Sequence, residues 1–352
     1  MNASEKKTVV VYSSDPEYYA CPYIRIWSPL SVSSLFESVN GVSVQEKGIR
    51  CSTKPAHFAD VILLQRDFPI HFEAVEKLLD IAAERGVPVI LESDDDLINL
   101  PKEHPAAPIA QHLREGLDKV GHRLSGFIVS TEPLASTFAS YGKPTIVVPN
   151  YVDDRLWQMT PKERDPGVLV IGYMGTPTHR EDLDCAIPAL KKLLHKYRGK
   201  IELWLWGAMH DSLRNTYGVK LVSGLNSNYP DFVRNFIIQR PDIAIAPLRD
   251  VPFNISKSAI KYYEYSVLRI PGVYSNIGPY ALAVENERTG LLVGNNQAEW
   301  MAAIERMILD PALRGKIGGN ARISVMRHHS LSGRGGALTE ALKQFIVNVA
   351  NV

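Results

Sequence analysis

Short apolar runs alternate with longer amphipathic stretches along nearly the whole chain of 352 residues. The apolar runs have the length of buried strands, and in the stretches between them apolar residues recur at the spacing of one helix face. Strands that alternate with helices in this way are typical of α/β folds with mostly parallel sheets. The alternation therefore predicts an α/β protein, and it recurs in both halves of the chain.

In the first half, the pattern predicts strands at Thr8–Tyr12, Val61–Gln65, Val87–Leu91, Gly126–Val129 and Thr145–Val148. The predicted helices there are Ser28–Glu37, Pro69–Arg85 and Pro108–Leu124. In the second half, the predicted strands are Val168–Tyr173, Ile201–Trp206, Val219–Val222, Ile243–Ala246, Val273–Ser275 and Gly290–Val293. The predicted helices are Arg180–Tyr197, Pro230–Ile238, Ser256–Leu268, Ala298–Leu309 and Leu338–Asn348.

Gln158–Gly167 separates the two halves, with two prolines, a glycine and four charged residues and no apolar period. A chain of this length also exceeds one ordinary core. We therefore expect a first domain over residues 1–157, a linker over 158–167, a second domain over 168–330 and a terminal segment over 331–352. Two doubly wound, Rossmann-like domains in tandem would face a central cleft, with ligands at the carboxyl ends of the strands.

The composition restricts the location and the partners. The net charge of +1 gives no bulk attraction to nucleic acid or to a membrane surface. The three cysteines show no metal-ligand spacing, and their small, odd number fits a reducing cytoplasm. The start is polar and no apolar segment approaches about 18 residues, so we expect no signal peptide and no transmembrane segment. Peripheral membrane contact and homodimer formation stay open.

The loop after the predicted strand Val168–Tyr173 is the first candidate site. Gly175 allows close approach of a ligand to the backbone, and Thr178 and Glu181 have the spacing of a capping box. His179 and Arg180 would fall in the first helical turn. The loop reads as a phosphate-binding helix start, or as an ordinary turn with a good cap and a surface arginine.

The predicted helix Ser256–Leu268 is the second candidate site. Lys257, Lys261 and Glu264 would share one helix face, and Asn254 would be its N-cap. Two lysines one turn apart repel each other mildly, and a bound diphosphate would reverse that effect. The alternative is a solvated helix face with a Lys261–Glu264 pair.

The third candidate site is Asp94–Asp96, which directly follows the predicted strand Val87–Leu91. One interpretation is a divalent metal site, because such ions prefer oxygen ligands. A second is a general base or a partner for sugar hydroxyls. The third is a solvated loop in which Asp94 or Asp95 caps a short helix at Leu97. Tyr23, Arg25 and Trp27 follow the first strand and are weaker candidates for lining the cleft.

Several segments of the second half resemble the donor domain of GT-B glycosyltransferases of the family 4 kind, the group 1 glycosyl transferases. The resemblance rests on Ile171-Gly-Tyr-Met-Gly-Thr, on Pro241-Asp-Ile-Ala-Ile-Ala-Pro-Leu, and on the stretch from Lys257 through Gly278 to Asn286-Glu-Arg-Thr-Gly-Leu-Leu-Val. It covers residues 168–330 well and the first half loosely. It also implies that the terminal helix crosses back to the first domain.

The resemblance assigns site residues position by position. Glu264 matches the second glutamate of the family's E-x7-E motif, which implies that it holds the donor ribose. Ser256 stands where the family has its first glutamate, the residue that touches the donor sugar. Lys257 and Ser258, beside this gap, are the residues expected to replace it.

The resemblance also locates the diphosphate. Gly175 lies in the turn after the first donor-domain strand, and Thr176 takes the place of the family's diphosphate-binding arginine. Arg180 is then the nearby cation of this loop, and Lys257 or Lys261 would supply the missing charge.

Taken together, these features predict a cytoplasmic glycosyltransferase that moves a sugar from a nucleotide-diphosphate sugar to an acceptor hydroxyl. UDP or GDP sugars are the expected co-substrates, no cofactor is required, and the resemblance implies retention of configuration without a metal. Asp94, Asp95 and Asp96 are the expected catalytic group. Three alternatives remain open: an epimerase-like GT-B enzyme, a metal-dependent transferase with a DxD-like cluster, and an inactive sugar-binding module. The base, the sugar and the acceptor are not specified by the sequence.

Overall fold

The computed structural model describes residues 6–45, 48–102, 104–158, 167–222 and 228–350. The chain divides into two compact units. The first comprises the residues up to Tyr151, residues 256–258 and the residues from Arg334 onward; the second comprises Val152–Ile255 and Ala259–Gly333. Most of the predicted linker, residues 159–166, lies outside the described residues.

In the first part of the chain, the strands are β1 (Lys7–Tyr12), β2 (Phe36–Asn40), β3 (Val42–Gln45), β4 (Gly48–Cys51), β5 (Val61–Gln65), β6 (Val89–Ser93), β7 (Gly126–Val129) and β8 (Thr145–Val147). The helices are α1 (Ala20–Pro22), α2 (Ser28–Ser31), α3 (Phe72–Arg85), α4 (Ala107–Val120) and α5 (Glu132–Phe138), and a π-helix covers Tyr23–Trp27. Across the described residues, the main sheet has the order β2-β1-β5-β6-β7-β8, and all of its pairs are parallel. The strand order reverses between β1 and β5.

In the second part, the strands are β9 (Leu169–Gly175), β10 (Ile201–Gly207), β11 (Val219–Val222), β12 (Ile243–Ala246), β13 (Gly272–Ser275) and β14 (Leu291–Val293). The helices are α6 (Ile187–Lys196), α7 (Tyr229–Gln239), α8 (Pro252–Ile255), α9 (Ile260–Val267), α10 (Gly278–Ala283), α11 (Gln297–Leu309), α12 (Pro311–His328) and α13 (Leu331–Arg334). The last helix, α14 (Ala337–Ala350), belongs to the first unit. There the Thr339 hydroxyl donates a hydrogen bond of 3.1 Å to the Ser33 hydroxyl.

The second sheet has the order β11-β10-β9-β12-β13-β14, also with parallel pairs over the described residues. Its order reverses between β9 and β12. Buried side chains of β9, β10 and β12 pack against α6 and α11 in one hydrophobic cluster of this unit. The prediction of an α/β chain with two Rossmann-like, doubly wound units is confirmed.

Several segments differ from the predicted elements. The predicted helix Ser28–Glu37 ends as α2 at Ser31, because the chain then enters β2 and pairs with β1. The predicted helix Arg180–Tyr197 is a 3-10 helix, Pro177–Cys185, followed by α6. Pro188 explains this break, since a proline is tolerated in the first turn of a helix but not in its interior.

The 18-residue helix α12 was not predicted. Its three glycines weaken the helical signal of the sequence, because glycine is a poor helix former. The fold requires one of them: a Cβ at Gly318 would lie 2.3 Å from the carbonyl oxygen of Arg269. Close packing of α12 against the end of α9 therefore explains the glycine that obscured the helix.

Candidate functional site

The second sheet opens at its carboxyl edge between β9 and β12. These strands pair only at Ile171–Ile243 and Gly172–Ala244 within the described residues. Beyond that point the Tyr265 hydroxyl of α9 accepts from the Met174 amide at 3.2 Å and donates to the Ile245 carbonyl at 3.4 Å. In doubly wound sheets, ligands bind where the strand order reverses. Tyr265 thus anchors α9 at the place where this unit is expected to bind its ligand.

Asp182 ties together the two loops that border this opening. Its Oδ1 accepts from the Arg249 amide at 3.0 Å and from the Asn254 side-chain amide at 2.9 Å. Its Oδ2 lies 3.0 Å from Nδ1 of His179. Burial alone would raise the pKa of Asp182, but the bonds from His179 and Arg249 and the charge of Lys261 lower it below its usual range. Asp182 is therefore an ionised, buried carboxylate that fixes the loops after β9 and β12.

The loop after β9 does not form the predicted capping box. The Thr178 hydroxyl lies 2.7 Å from the Thr176 hydroxyl, and Glu181 forms an ion pair of 2.5 Å with Arg249. The 3-10 geometry of Pro177–Cys185 changes the directions that an α-helix would give these side chains.

The predicted diphosphate residues of this loop lie at the carboxyl edge of the sheet. Gly175 ends β9, and Thr176 directly follows it with an exposed side chain. Arg180 is half-exposed and lies 3.4 Å from Asp211. The loop therefore presents a backbone turn, a hydroxyl and one loosely paired cation at the expected ligand position.

Glu264 is buried in α9, with only 5% of its surface exposed. Its Oε1 accepts a hydrogen bond of 2.5 Å from the Tyr229 hydroxyl. Burial raises the pKa of Glu264 to about 7, and the Tyr229 bond and the charge of Lys261 only partly oppose this rise. The charge of Lys261 thus lowers the pKa of both Asp182 and Glu264.

The predicted helix Ser256–Leu268 was wrong at its start. The structure has the short helix α8, a non-helical segment over 256–259, and then α9 from Ile260. Asn254 lies within α8, where its side chain donates to Asp182 and to the Arg249 carbonyl instead of capping a helix. Lys257 therefore does not share a helix face with Lys261 and Glu264.

Long-range hydrogen bonds explain why the helix starts late. The Ser256 carbonyl accepts from the Thr131 hydroxyl at 2.7 Å, and the Ser258 hydroxyl accepts from the Asn150 side chain at 2.6 Å. Between these serines, Lys257 forms an ion pair of 3.0 Å with Asp95. These bonds hold residues 256–258 in the first unit in a non-helical conformation.

Asp96 performs the structural role that the sequence had offered to Asp94 or Asp95. It caps the 3-10 helix Leu97–Asn99, and its Oδ1 accepts from the Asn99 amide at 3.2 Å. The Asn99 side chain lies 3.1 Å from both carboxylate oxygens, and Thr137 donates to Oδ2 at 3.1 Å. Asp96 is buried and fully engaged by these neighbours.

Asp94 and Asp95 lie instead beside two cations. Arg66 is 3.6 Å from Asp94 and 3.8 Å from Asp95, and Lys257 holds Asp95. Arg66 follows β5 and has φ +51°, a left-handed backbone conformation that residues other than glycine rarely adopt. Such strain is often found at functional sites. The sequence reasoning missed Arg66, whose only signal was its position directly after a buried strand.

A buried polar network lies beneath this cluster. Arg25 donates from Nε to Glu92 at 2.6 Å, and from Nη1 to the Val148 carbonyl at 2.7 Å and the Asn150 side chain at 2.6 Å. Gln65 donates to the other oxygen of Glu92 at 3.3 Å. Arg25 is thus a buried structural residue that joins the carboxyl ends of several strands. These bonds account for Arg25 without the predicted role of lining a cleft.

Two further findings bear on cofactors and membranes. Within the described residues, no three His, Cys, Asp or Glu side chains are grouped so that they could hold a metal ion. None of the helices in those residues combines the length and apolar character that crossing a bilayer requires.

Comparison with known proteins gives a family match over part of the chain and a fold. Residues 165–310 match the family described as Glycosyl transferases group 1, whereas no curated protein matches the chain. Sucrose-phosphate synthase from Thermosynechococcus elongatus is similar in structure, with a TM-score of 0.67 and 12% identity over 98% of this chain and 100% of that one. Anabaena HepE in complex with UDP-glucose has a TM-score of 0.63 and 15% identity over 97% and 100%. Trehalose-6-phosphate synthase OtsA has a TM-score of 0.63 and 13% identity over 96% and 99%.

The structural matches identify the fold as that of GT-B glycosyltransferases, with two Rossmann-like units. The resemblance to group 1 glycosyl transferases is confirmed, and residues 165–310 carry it. The family match over residues 165–310 supports a glycosyltransferase, the enzyme class that the sequence predicted.

Proposed function

We propose that this chain transfers a sugar from a nucleotide-diphosphate sugar to an acceptor hydroxyl, with retention of configuration and without a metal ion. The observation that carries this proposal is the position of Glu264. It is a buried carboxylate on α9, the helix whose Tyr265 is bonded to both strands at the point of strand-order reversal. A carboxylate at this point of a doubly wound sheet suits the hydroxyls of a ribose.

The donor is proposed to lie across the opening between β9 and β12. Glu264 accepts hydrogen bonds from the ribose, and the diphosphate lies against Gly175, Thr176, Arg180 and Lys261. UDP is the proposed nucleotide, because HepE, a protein of the same fold, has been solved in complex with UDP-glucose. Lys257 and Ser258 belong to the first unit, and their predicted contact with the donor remains a prediction that a Lys257→Ala variant tests.

The proposed reaction exchanges one bond at the anomeric carbon for another. The bond from C1 to the diphosphate oxygen breaks, and its electron pair stays on that oxygen. The acceptor oxygen forms the new bond to C1 and releases its proton. Cationic groups around the diphosphate stabilise the charge that develops on the leaving oxygen.

Asp94 or Asp95 is the proposed partner of the acceptor hydroxyl, which it orients or deprotonates. Asp96 was predicted with them, but its oxygens are engaged by Asn99 and Thr137. The nearby charges also favour the reaction without metal: Arg66 and Lys257 already balance Asp94 and Asp95. A DxD-like metal site would have to replace both cations.

The test is turnover of a panel of UDP and GDP sugars with mixed saccharide acceptors, in buffer with excess EDTA. The proposal expects release of UDP that depends on acceptor, persists with EDTA, and gives a product whose anomeric configuration by NMR matches that of the donor. Activity lost with EDTA and restored by Mn²⁺ would identify a metal-dependent transferase. A changed sugar without UDP release would identify an epimerase, and binding without turnover an inactive sugar-binding module.

A further inference from the structure

Arg66 lies where three loops of the first unit meet. Its Nε is 3.6 Å from Oδ1 of Asp94, its Nη2 is 3.8 Å from Oδ2 of Asp95, and its Nη1 is 3.9 Å from Oδ2 of Asp15. Asp15 follows β1, Arg66 follows β5, and the other two aspartates follow β6. The strand order reverses between β1 and β5, and ligands of doubly wound sheets bind at the carboxyl ends of the strands near such a reversal. One guanidinium therefore serves carboxylates from the strands on both sides of β5.

The backbone fixes the place of this guanidinium. The Arg66 amide donates to the Glu92 carbonyl at 2.7 Å, which extends the pairing of β5 with β6 by one residue beyond Gln65. The left-handed φ of Arg66 then turns the chain while its Cα stays beside the end of β6. Glycine would adopt this conformation without strain, but it would leave the three carboxylates without the cation. The backbone strain at position 66 thus accompanies a charge that is placed among these aspartates.

We propose that Arg66 is a positioning residue for the acceptor: it holds the carboxylates of Asp94 and Asp95 in place to orient the acceptor hydroxyl. This inference rests on the proposed function and adds one residue to its acceptor side. A carboxylate orients a hydroxyl by accepting its hydrogen, and this bond requires a fixed direction. Neighbouring carboxylates repel each other, and the guanidinium beside them offsets that repulsion.

The two aspartates depend on Arg66 to different degrees. Lys257 donates to Asp95 at 3.0 Å and gives it a second cation. For Asp94, Arg66 is the one ion-pair partner in the part of the chain that the structure describes. Oδ1 of Asp94 and Nε of Arg66 are buried, and neither has a hydrogen bond to a described residue. Because catalytic hydrogen bonds are often long in unliganded enzymes, their 3.6 Å separation suits a bond that shortens when the acceptor binds.

The surrounding charges show what loss of Arg66 would do. Asp15, Asp94 and Asp95 carry the negative charges of this cluster, and Arg66 and Lys257 carry the positive ones. Without Arg66, Lys257 would face three carboxylates, and its bond is to Asp95. Asp94 would then lose its counter-charge, so we expect its carboxylate to move away from the position that serves the acceptor.

The test is steady-state turnover of full-length Arg66→Ala, Arg66→Lys and Arg66→Gln, with the donor and acceptor that give the wild type its fastest turnover. UDP is titrated calorimetrically into each protein as well. We expect Arg66→Ala to lower kcat at least about tenfold. Its affinity for UDP should stay within about twofold of that of the wild type, since Glu264 and Lys261, the residues proposed to hold UDP, belong to the second unit.

Two further readouts would not respond to a merely structural role. Added guanidinium ion should restore part of the turnover of Arg66→Ala, because the ion supplies the missing group. Arg66→Lys keeps the charge and should retain more turnover than Arg66→Gln, which keeps hydrogen-bond donors without the charge. The double variant of Arg66→Ala with Asp94→Asn should lose no more turnover than the more severe of the two single variants, as for residues that act together.

Arg123 provides the matched control, since its partly exposed pair with Asp80 lies in the same unit. Arg123→Ala is expected to transfer sugar and to bind UDP as the wild type does, and guanidinium ion should change neither property.

The outcomes separate this inference from the proposed function. If the wild type transfers sugar and Arg66→Ala does so at a rate within about twofold, Arg66 has no positioning role. Equal turnover of Arg66→Lys and Arg66→Gln overturns the inference too, and this comparison decides if Arg66→Ala does not fold. A loss of turnover that guanidinium ion does not restore, with an equal loss of UDP affinity, shows a structural role alone. If the wild type transfers no sugar from any donor, the proposed function is overturned and this inference with it.

Discussion

The carboxylate of Glu264 and the hydroxyl of Tyr229 form a hydrogen bond of 2.5 Å inside the second unit. The pair joins α7 to α9, the helix that borders the proposed donor site. Both side chains are about 5% exposed. A carboxylate held in this way combines an unusual pKa with a fixed position, and both properties can be measured.

Glu264 should make the stability of the protein fall between about pH 4.5 and 7. Its pKa is about 7 in the folded protein and 4.5 is the usual value. In this range the carboxyl ionises in the unfolded chain but stays protonated in the folded one, so the unfolded state binds fewer protons and gains stability. Below pH 4.5 both states are protonated, and the folded protein keeps its full advantage.

The measurement is urea unfolding across this pH range for the wild type and for Glu264→Gln, which has no ionisable group at this position. The free energy of unfolding of the wild type should fall relative to the variant by up to about 3 kcal/mol, since one pKa unit corresponds to about 1.4 kcal/mol. Parallel curves for the two proteins would show that Glu264 ionises normally.

Tyr229→Phe should destabilise the second unit and raise the pKa of Glu264 further. The hydroxyl is one of the groups that lower this pKa, and its loss leaves a buried carboxyl oxygen without that partner. We expect a loss of about 1–3 kcal/mol in the free energy of unfolding. Tyr217→Phe is the matched control, because Tyr217 is 55% exposed and its change should cost little. Equal effects of the two substitutions would argue against a stabilising bond.

Glu92→Gln should cost far more than removal of a surface ion pair. The substitution leaves Arg25 as a buried charge without its carboxylate, which typically costs about 3–5 kcal/mol. Asp80→Asn breaks the partly exposed pair with Arg123, of the same 2.6 Å length, and should cost about 1 kcal/mol or less. Similar losses by urea unfolding in the two variants would contradict the network assigned to Arg25.

The aspartates of the first unit should separate into one structural residue and two functional ones. Asp96→Ala removes the cap and the bonds to Asn99 and Thr137, so we expect a loss of about 1–2 kcal/mol in stability. Asp94→Asn and Asp95→Asn should change stability less and lower transferase turnover at least about tenfold. Normal turnover in both of these variants, with the stability loss confined to Asp96→Ala, would remove the aspartates from the mechanism.

The sequence predicts an element well where the residues of that element and its flanking turns determine its structure. The strands β5, β7, β11 and β12 have the bounds that their apolar runs and flanking turn residues indicate. The helix predicted to begin at Ser256 starts later, because the residues that hydrogen-bond this segment are distant in the chain. Thr131 and Asn150, each more than 100 residues away, bind the serines on either side of Lys257.

The sequence likewise predicted only some residues of the candidate site. Glu264 and Lys261 stand at helical spacing on a helix that does form. Arg66 and Asp182 could not be recognised, because their importance comes from backbone strain in one case and from bonds to two other loops in the other. Neither property leaves a pattern in the neighbouring residues.

The most direct test of the account is calorimetric titration of UDP into the wild type and into Glu264→Ala. The account predicts that the wild type binds UDP and that Glu264→Ala binds it at least about tenfold more weakly, because the ribose loses a carboxylate acceptor. Glu299→Ala, at an exposed helix start, should bind UDP as the wild type does. Absence of UDP and GDP binding in the folded wild type, or equal UDP binding in Glu264→Ala, would contradict the account.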